Sequence, residues 1–204
     1  MLPLWKLNPA DEGKIDLKAD LPRDTTGQIN TDSSIQSLVD AINFDTSQNN
    51  KVCLGFECPL FINLPSNPVM LTSARVGEGS RAWSAGAGSG SLTTGLAEVL
   101  WVLHELKQKS IGSILATFEI SDLLDENSNL LIWEAFVTYK SKGNSHCEDS
   151  IIAAQKFFEK LNSGIMQPDV TVERPYSLAG AALLYSGITN NIEILKKQCI
   201  VVKA

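Results

Sequence analysis

Two histidines and four cysteines in 204 residues leave little material for soft-metal chemistry. The cysteines, Cys53, Cys58, Cys147 and Cys199, show no CxxC spacing and fall far below the density of a disulfide scaffold. A zinc site needs three or four Cys/His ligands, and the sequence offers no such set. Positive charge is also scarce: 17 Lys+Arg stand against 23 Asp+Glu, for a net charge of −6 and a pI near 4.9. No global positive field therefore draws the chain to nucleic acid or to anionic membrane, although a local groove can be basic on an acidic protein. No apolar run reaches the roughly 18 residues of a membrane-spanning helix, and no N-terminal signal pattern is present, so the default expectation is a cytoplasmic protein. GxxxxGK[ST] and GxSxG are missing too, which leaves a nucleotide P-loop and a serine-hydrolase elbow without support.

What is present suits an ordinary globular domain. Hydrophobic residues make up 44% and charged residues 20%, and 204 residues are enough for one well-cored domain spanning 1–204. Leu2 to Lys6 and Lys14 to Ala19 are expected as strands of a β-hairpin around Asn8-Pro9 and Glu12-Gly13. Ser33 or Ser34 caps a helix with Ile35, Leu38, Val39 and Ile42 at helical spacing. An apolar strand is expected over Lys51 to Ile62, then a long loop from Asn63 to Ser91 that includes the tract SAGAGSGS. The loop leads into an amphipathic helix over about Thr93 to Lys109, with His104 at its boundary. Ser113 to Glu119 and Leu130 to Val137 follow as strands separated by a polar acidic turn. Next come a helix opened by Ser145-His-Cys-Glu148, a capping-box pattern, a short helix over Ser177 to Gly187, and a last strand at Cys199 to Lys203. Strands first, then strands and helices in alternation, predict an α/β domain with a mixed sheet.

The chemistry concentrates in a few places. Lys51 to Pro59 (KVCLGFECP) carries a single acid, Glu57, to the C-terminal end of an apolar strand, where open α/β sheets place ligands. His146 and Asp149 stand three apart at a helix start and share a face. Asp149 there either complements the helix dipole or, with His146, faces Glu57 as a metal ligand or acid/base pair. Such an oxygen-rich site suits Mg²⁺ or Mn²⁺. Arg75 and Arg81, in ARVGEGSRAW, are placed to hold a phosphate or carboxylate or to serve as loop salt bridges. Glu134, in IWEAFV, lies inside an apolar strand and needs a partner there, with Arg75 or Arg81 the candidates.

The order GFECPL, GSRAW, IWEAFV, HCEDSIIAA, SLAGAALLYSGIT and CIVVKA, across Lys51 to Ala204, resembles the ribonuclease-H-like superfamily, in particular its predicted-nuclease families. The resemblance implies a three-layer α/β fold with a mixed central sheet flanked by helices, and a divalent-metal site. By position, Glu57 and Asp149 would be metal ligands with His146 beside them, and Arg75 or Arg81 would steady a phosphate of a nucleic acid or smaller phosphodiester. Glu134 would be a supporting residue. The superfamily's first-strand aspartate has no counterpart in MLPLWKLNP, so that strand is expected to be missing. Two expectations stand: a metal-dependent nuclease or phosphodiesterase, or a catalytically inactive fold relative acting in binding or assembly, with an exposed sheet edge favouring a homodimer.

Overall fold

The computed structural model describes residues 6–7, 34–138, 141–144, 146–164 and 166–204, and at 6, 7, 34, 146 and 147 only the backbone. The hairpin expected before residue 20 lies outside this range, except for a short strand, β1 (Lys6–Leu7).

The long apolar segments become the parallel centre of a sheet. β2 (Lys51–Phe56) and β5 (Leu130–Phe136) pair in parallel, with Gly55 opposite Trp133 and Phe56 opposite Glu134. The far side of β5 is shared by two further parallel strands. β4 (Ala116–Thr117) lies along its start and β7 (Ile200–Lys203) along its end. β1 adds to β2 antiparallel, which makes the sheet mixed. Parallel strands buried on both faces carry near-continuous apolar runs, and VCLGF and LLIW have that character.

Alternation along these strands sorts the side chains into two cores. Val52, Leu54, Phe56, Leu130, Ile132 and Val201 face three helices: α1 (Ser34–Ser47), α2 (Ala87–Lys109) and α5 (Leu178–Ser186). Cys53, Leu131, Trp133, Ala135 and Val202 face α3 (Ile120–Leu124) and α4 (His146–Asn162). The result is a three-layer α/β fold. Each buried Leu, Ile, Val or Phe contributes about 1.5–3 kcal/mol, so the two faces together hold most of the apolar driving force.

Several expected boundaries move. Lys51 to Ile62 is not one strand: β2 stops at Phe56, and β3 (Phe61–Asn63) pairs antiparallel with β6 (Pro175–Ser177) in a separate ribbon. Pro59, which has no N–H for a ladder, lies in the break. Of Ser113 to Glu119 only two residues pair, and the expected acidic turn begins with α3. α2 starts at Ala87, so much of the glycine tract is helical. Glycine costs about 1 kcal/mol in a helix, but contact requires it here. A Cβ on Gly95 would lie 2.3 Å from the Cys58 Cβ, and one on Gly88 would lie 2.6 Å from the Ala82 carbonyl. α5 is capped at both ends, by Ser177 Oγ accepting from Gly180 N–H and by left-handed Gly187.

Candidate functional site

Glu57 is the first residue past β2 on the α4 side of the sheet. With Gly55 of the same strand and Trp133, Ala135 and Val137 from the β5 segment, it lines a cleft closed on the other side by Asp149, Ser150, Ala153 and Ala154 of α4. Ala153 and Ala154 are small enough to bring the helix close. The cleft is small, with a volume of about 10 Å³, room for about one water-sized group. Glu57 and Asp149, expected to face each other, thus share one cleft at the C-terminal end of the parallel strands.

Asp149 is 3% exposed, and its Oδ1 accepts from the Gly143 N–H at 2.8 Å. Glu148 reaches back to the Asn144 N–H. The two acids therefore tie down the segment entering α4, and in doing so they fix where the Asp149 carboxylate stands. His146 opens α4, but its side chain lies outside the described residues. Above the cleft, the Glu57 carbonyl accepts from Ser91 Oγ at 2.6 Å, which anchors the first turns of α2 to the end of β2.

Glu134 faces the opposite side of the sheet and does not join the cleft. Its partner is Arg75, whose Nη1 and Nη2 donate to its two oxygens at 2.9 and 2.5 Å, and the Leu60 N–H adds a third bond at 2.9 Å. Arg75 Nε and backbone N–H both donate to Glu78, at 2.8 and 2.7 Å, and Nη1 reaches the Phe61 carbonyl at 3.1 Å. The guanidinium stacks on the Phe61 ring, 4.6 Å from its centre. Burial pushes the Glu134 carboxyl up from its usual range, against the pull of Arg75. Burial also works to lower Arg75, but Glu134 and then Glu78 outweigh it and raise the guanidinium above its ordinary value. The hydrogen bonds that Glu134 accepts from Arg75 and Leu60 all come from N–H donors, so the geometry is that of an ion pair.

The arginine expected to steady a phosphate is therefore an internal pin. It has no exposed side-chain surface and is held between two acids. Arg81, in the same loop, is exposed. The Arg75–Glu134 pairing was one of the two expected from the sequence, whereas Glu78 was missed because a loop acid between two glycines carries no burial signal. Ser150 and Trp133 were missed as cleft residues. The alternation of IWEAFV placed Trp133 opposite Glu134, but the position of α4 against that face is a tertiary fact.

The donor set suits a hard cation: two carboxylates and a hydroxyl, all oxygen. Among the described residues no group of three or more His, Cys, Asp or Glu side chains converges to hold a metal. Glu57, Asp149 and Ser150 are the oxygen-bearing side chains that line the cleft among the described residues. Comparison with protein-family models, with curated proteins and with solved structures returns no match for this chain.

Proposed function

We propose that the cleft between Glu57 and Asp149 takes a single Mg²⁺ or Mn²⁺, and that the chain is a ribonuclease-H-like protein acting as a metal-dependent phosphodiesterase or nuclease. The observation that carries this reading is that Glu57, just past β2, and Asp149 of α4, 92 positions apart in sequence, line one cleft. Mg²⁺ is commonly held by one or two carboxylates plus waters and substrate phosphate, and the cleft offers that pattern. When bound, the cation supplies Lewis-acid polarisation of a phosphoryl oxygen and a more acidic water. The chain's own residues do the holding. Asp149 is oriented through its Gly143 bond, and Glu57 is fixed at a strand end whose carbonyl is anchored by Ser91. A thermal-shift titration of the full chain with Mn²⁺ tests the reading. Stabilisation that disappears in Glu57→Ala supports it, and a flat response in the wild type sinks it.

A second reading rests on Arg75. With its guanidinium enclosed by Glu78 and Glu134, the anion contact implied by the resemblance is absent at that position. That favours a fold relative without catalysis, acting in binding or assembly. It predicts no metal response and a concentration-dependent mass in sedimentation. Among the described residues no helix is long and apolar enough to cross a membrane.

A further inference from the structure

The loop between β3 and Arg75 presents an apolar tip to solvent. Its two ends lie together: the Leu64 N–H donates to the Arg174 carbonyl, and Val76 pairs with Thr171. The chain between them is an Ω-loop built on a 3₁₀ turn, Pro68–Met70, of which no residue is buried. Val69 is 81% exposed, and Met70 and Leu71 are about half exposed. At the base, Val76 is 73% exposed. Four large apolar side chains on one short projection differ from singly scattered surface hydrophobics, which need no explanation. The projection is also held firmly. Arg75, at its end, is locked to Glu134 and Glu78, and the Thr72 carbonyl accepts from Ser84 Oγ.

Three features of the tip indicate what it fits. No charged residue occurs across 58–74, in a chain of which 20% is charged, so the tip can leave water without desolvating an ion. Across 68–71 every backbone N–H is absent or already bonded. Pro68 has none, Val69 donates to Asn67 Oδ1 at 3.1 Å, and Met70 and Leu71 donate to the Asn67 and Pro68 carbonyls. A lipid medium demands this, because it offers no water to a free donor. The projection, residues 65–74, is also too small to hold a second copy, since a stable interface takes about 20–30 residues a side. A bilayer needs no matching surface.

We propose that the 65–74 loop is a membrane-surface anchor, with Val69, Met70 and Leu71 entering the acyl boundary of a bilayer of zwitterionic lipid. The net charge of −6 opposes an anionic leaflet. At the loop's base the exposed Arg174, beside Ser66, is offset by the exposed Glu173 next to it. The attraction is therefore apolar, not electrostatic. A protein held in this way lies on the membrane and does not span it. The anchor is independent of any cation at the Glu57 cleft.

The test sediments the full chain with sucrose-loaded phosphatidylcholine vesicles, alone and with phosphatidylserine mixed in, at low and at high salt. The wild type is expected to sediment with phosphatidylcholine, to gain nothing from phosphatidylserine and to stay bound in salt. Val69→Asp/Leu71→Asp, at two exposed positions, is expected to keep the wild-type melting temperature and to bind vesicles at least about tenfold more weakly. Val69→Ser/Leu71→Ser should show the same loss without added charge. A wild type that does not sediment with vesicles, or variants that bind as well as it does, overturns the inference. So does binding that requires phosphatidylserine and is released by salt. A wild type that ignores vesicles but dimerises, with the dimer lost in the same variants, assigns the loop to a second copy and overturns the lipid contact.

Discussion

Arg75 and Glu134 are 59 positions apart and meet end-on, two guanidinium nitrogens on two carboxylate oxygens, with neither side chain more than 1% exposed. The pair joins the loop after β3 to the central strand of the sheet. Through Leu60 N–H, Glu134 also grips the segment on which α5 begins, because the Leu60 carbonyl accepts from Leu178 and Ala179.

Arg75→Met is expected to destabilise the chain by about 3–5 kcal/mol, because Glu134 and Glu78 would be left buried without their cation. The double variant Arg75→Met/Glu134→Leu should lose less than the sum of its two single changes. Urea denaturation midpoints measure this. A loss within the 1 kcal/mol of an exposed pair would show that the enclosure does not exist in solution.

Gly55→Ala inserts a methyl group 2.4 Å from the Trp133 ring. Overpacking of this kind costs about 1–3 kcal/mol and should shift tryptophan emission as the indole moves. An unchanged melting temperature together with an unchanged spectrum would mean that the ring does not lie across Gly55.

Asp149→Asn separates the two uses of that side chain. The amide oxygen can still accept from Gly143 N–H, while the negative charge on the cleft is gone. The expectation is near-normal folding with the Mn²⁺ stabilisation lost. In the wild type, at an excess of about 100-fold over Kd, that stabilisation is about 2.7 kcal/mol, or roughly 5–10 °C for a chain of this size. Equal Mn²⁺ shifts in the two proteins would remove Asp149 from the site.

Three buried thiols make stability fall at alkaline pH. Burial pushes Cys53 up from 9.0 to about 12. Burial, then the nearby Glu134 charge, raises Cys58 and Cys199 as well. A thiol that stays protonated when folded but ionises near pH 9 when unfolded leaves stability intact below 9. It removes about 1.4 kcal/mol per pH unit above that value, up to the folded-state pKa. Chemical denaturation from pH 8 to 11 should show this decline, and Cys53→Ala should make it shallower after allowing for its own cavity cost. At pH 8 the three thiols should resist alkylation in the native state and react on unfolding, as mapped by mass spectrometry.

Much of the architecture was legible from residue order because it rests on local periodicity. VCLGF and LLIW could only be buried strands. Leu38, Val39 and Ile42 pointed one face of α1 inward, and the acids after Asn144 marked the start of α4. A cationic partner for Glu134 also followed from a general rule, since an acid inside an apolar strand needs one, although the choice between Arg75 and Arg81 did not. Where the reading failed, a distant contact overrode a local preference. SAGAGSGS has the composition of a loop, yet its second half is helix, where the Ala82 carbonyl leaves no space for a side chain at Gly88. Phe61 and Ile62 look continuous with β2, yet they pair with Tyr176 and Ser177.

The sequence by itself determined the layers, the two-sided sheet and the position of Glu57 at a strand end, because side-chain alternation and helical spacing are properties of neighbouring residues. The tertiary structure alone decided that Asp149 lines the same cleft as Glu57 and that Arg75 turns inward to Glu134. Those relations depend on how α4 and the 64–83 loop pack against the sheet, and packing is set by groups far apart in the chain.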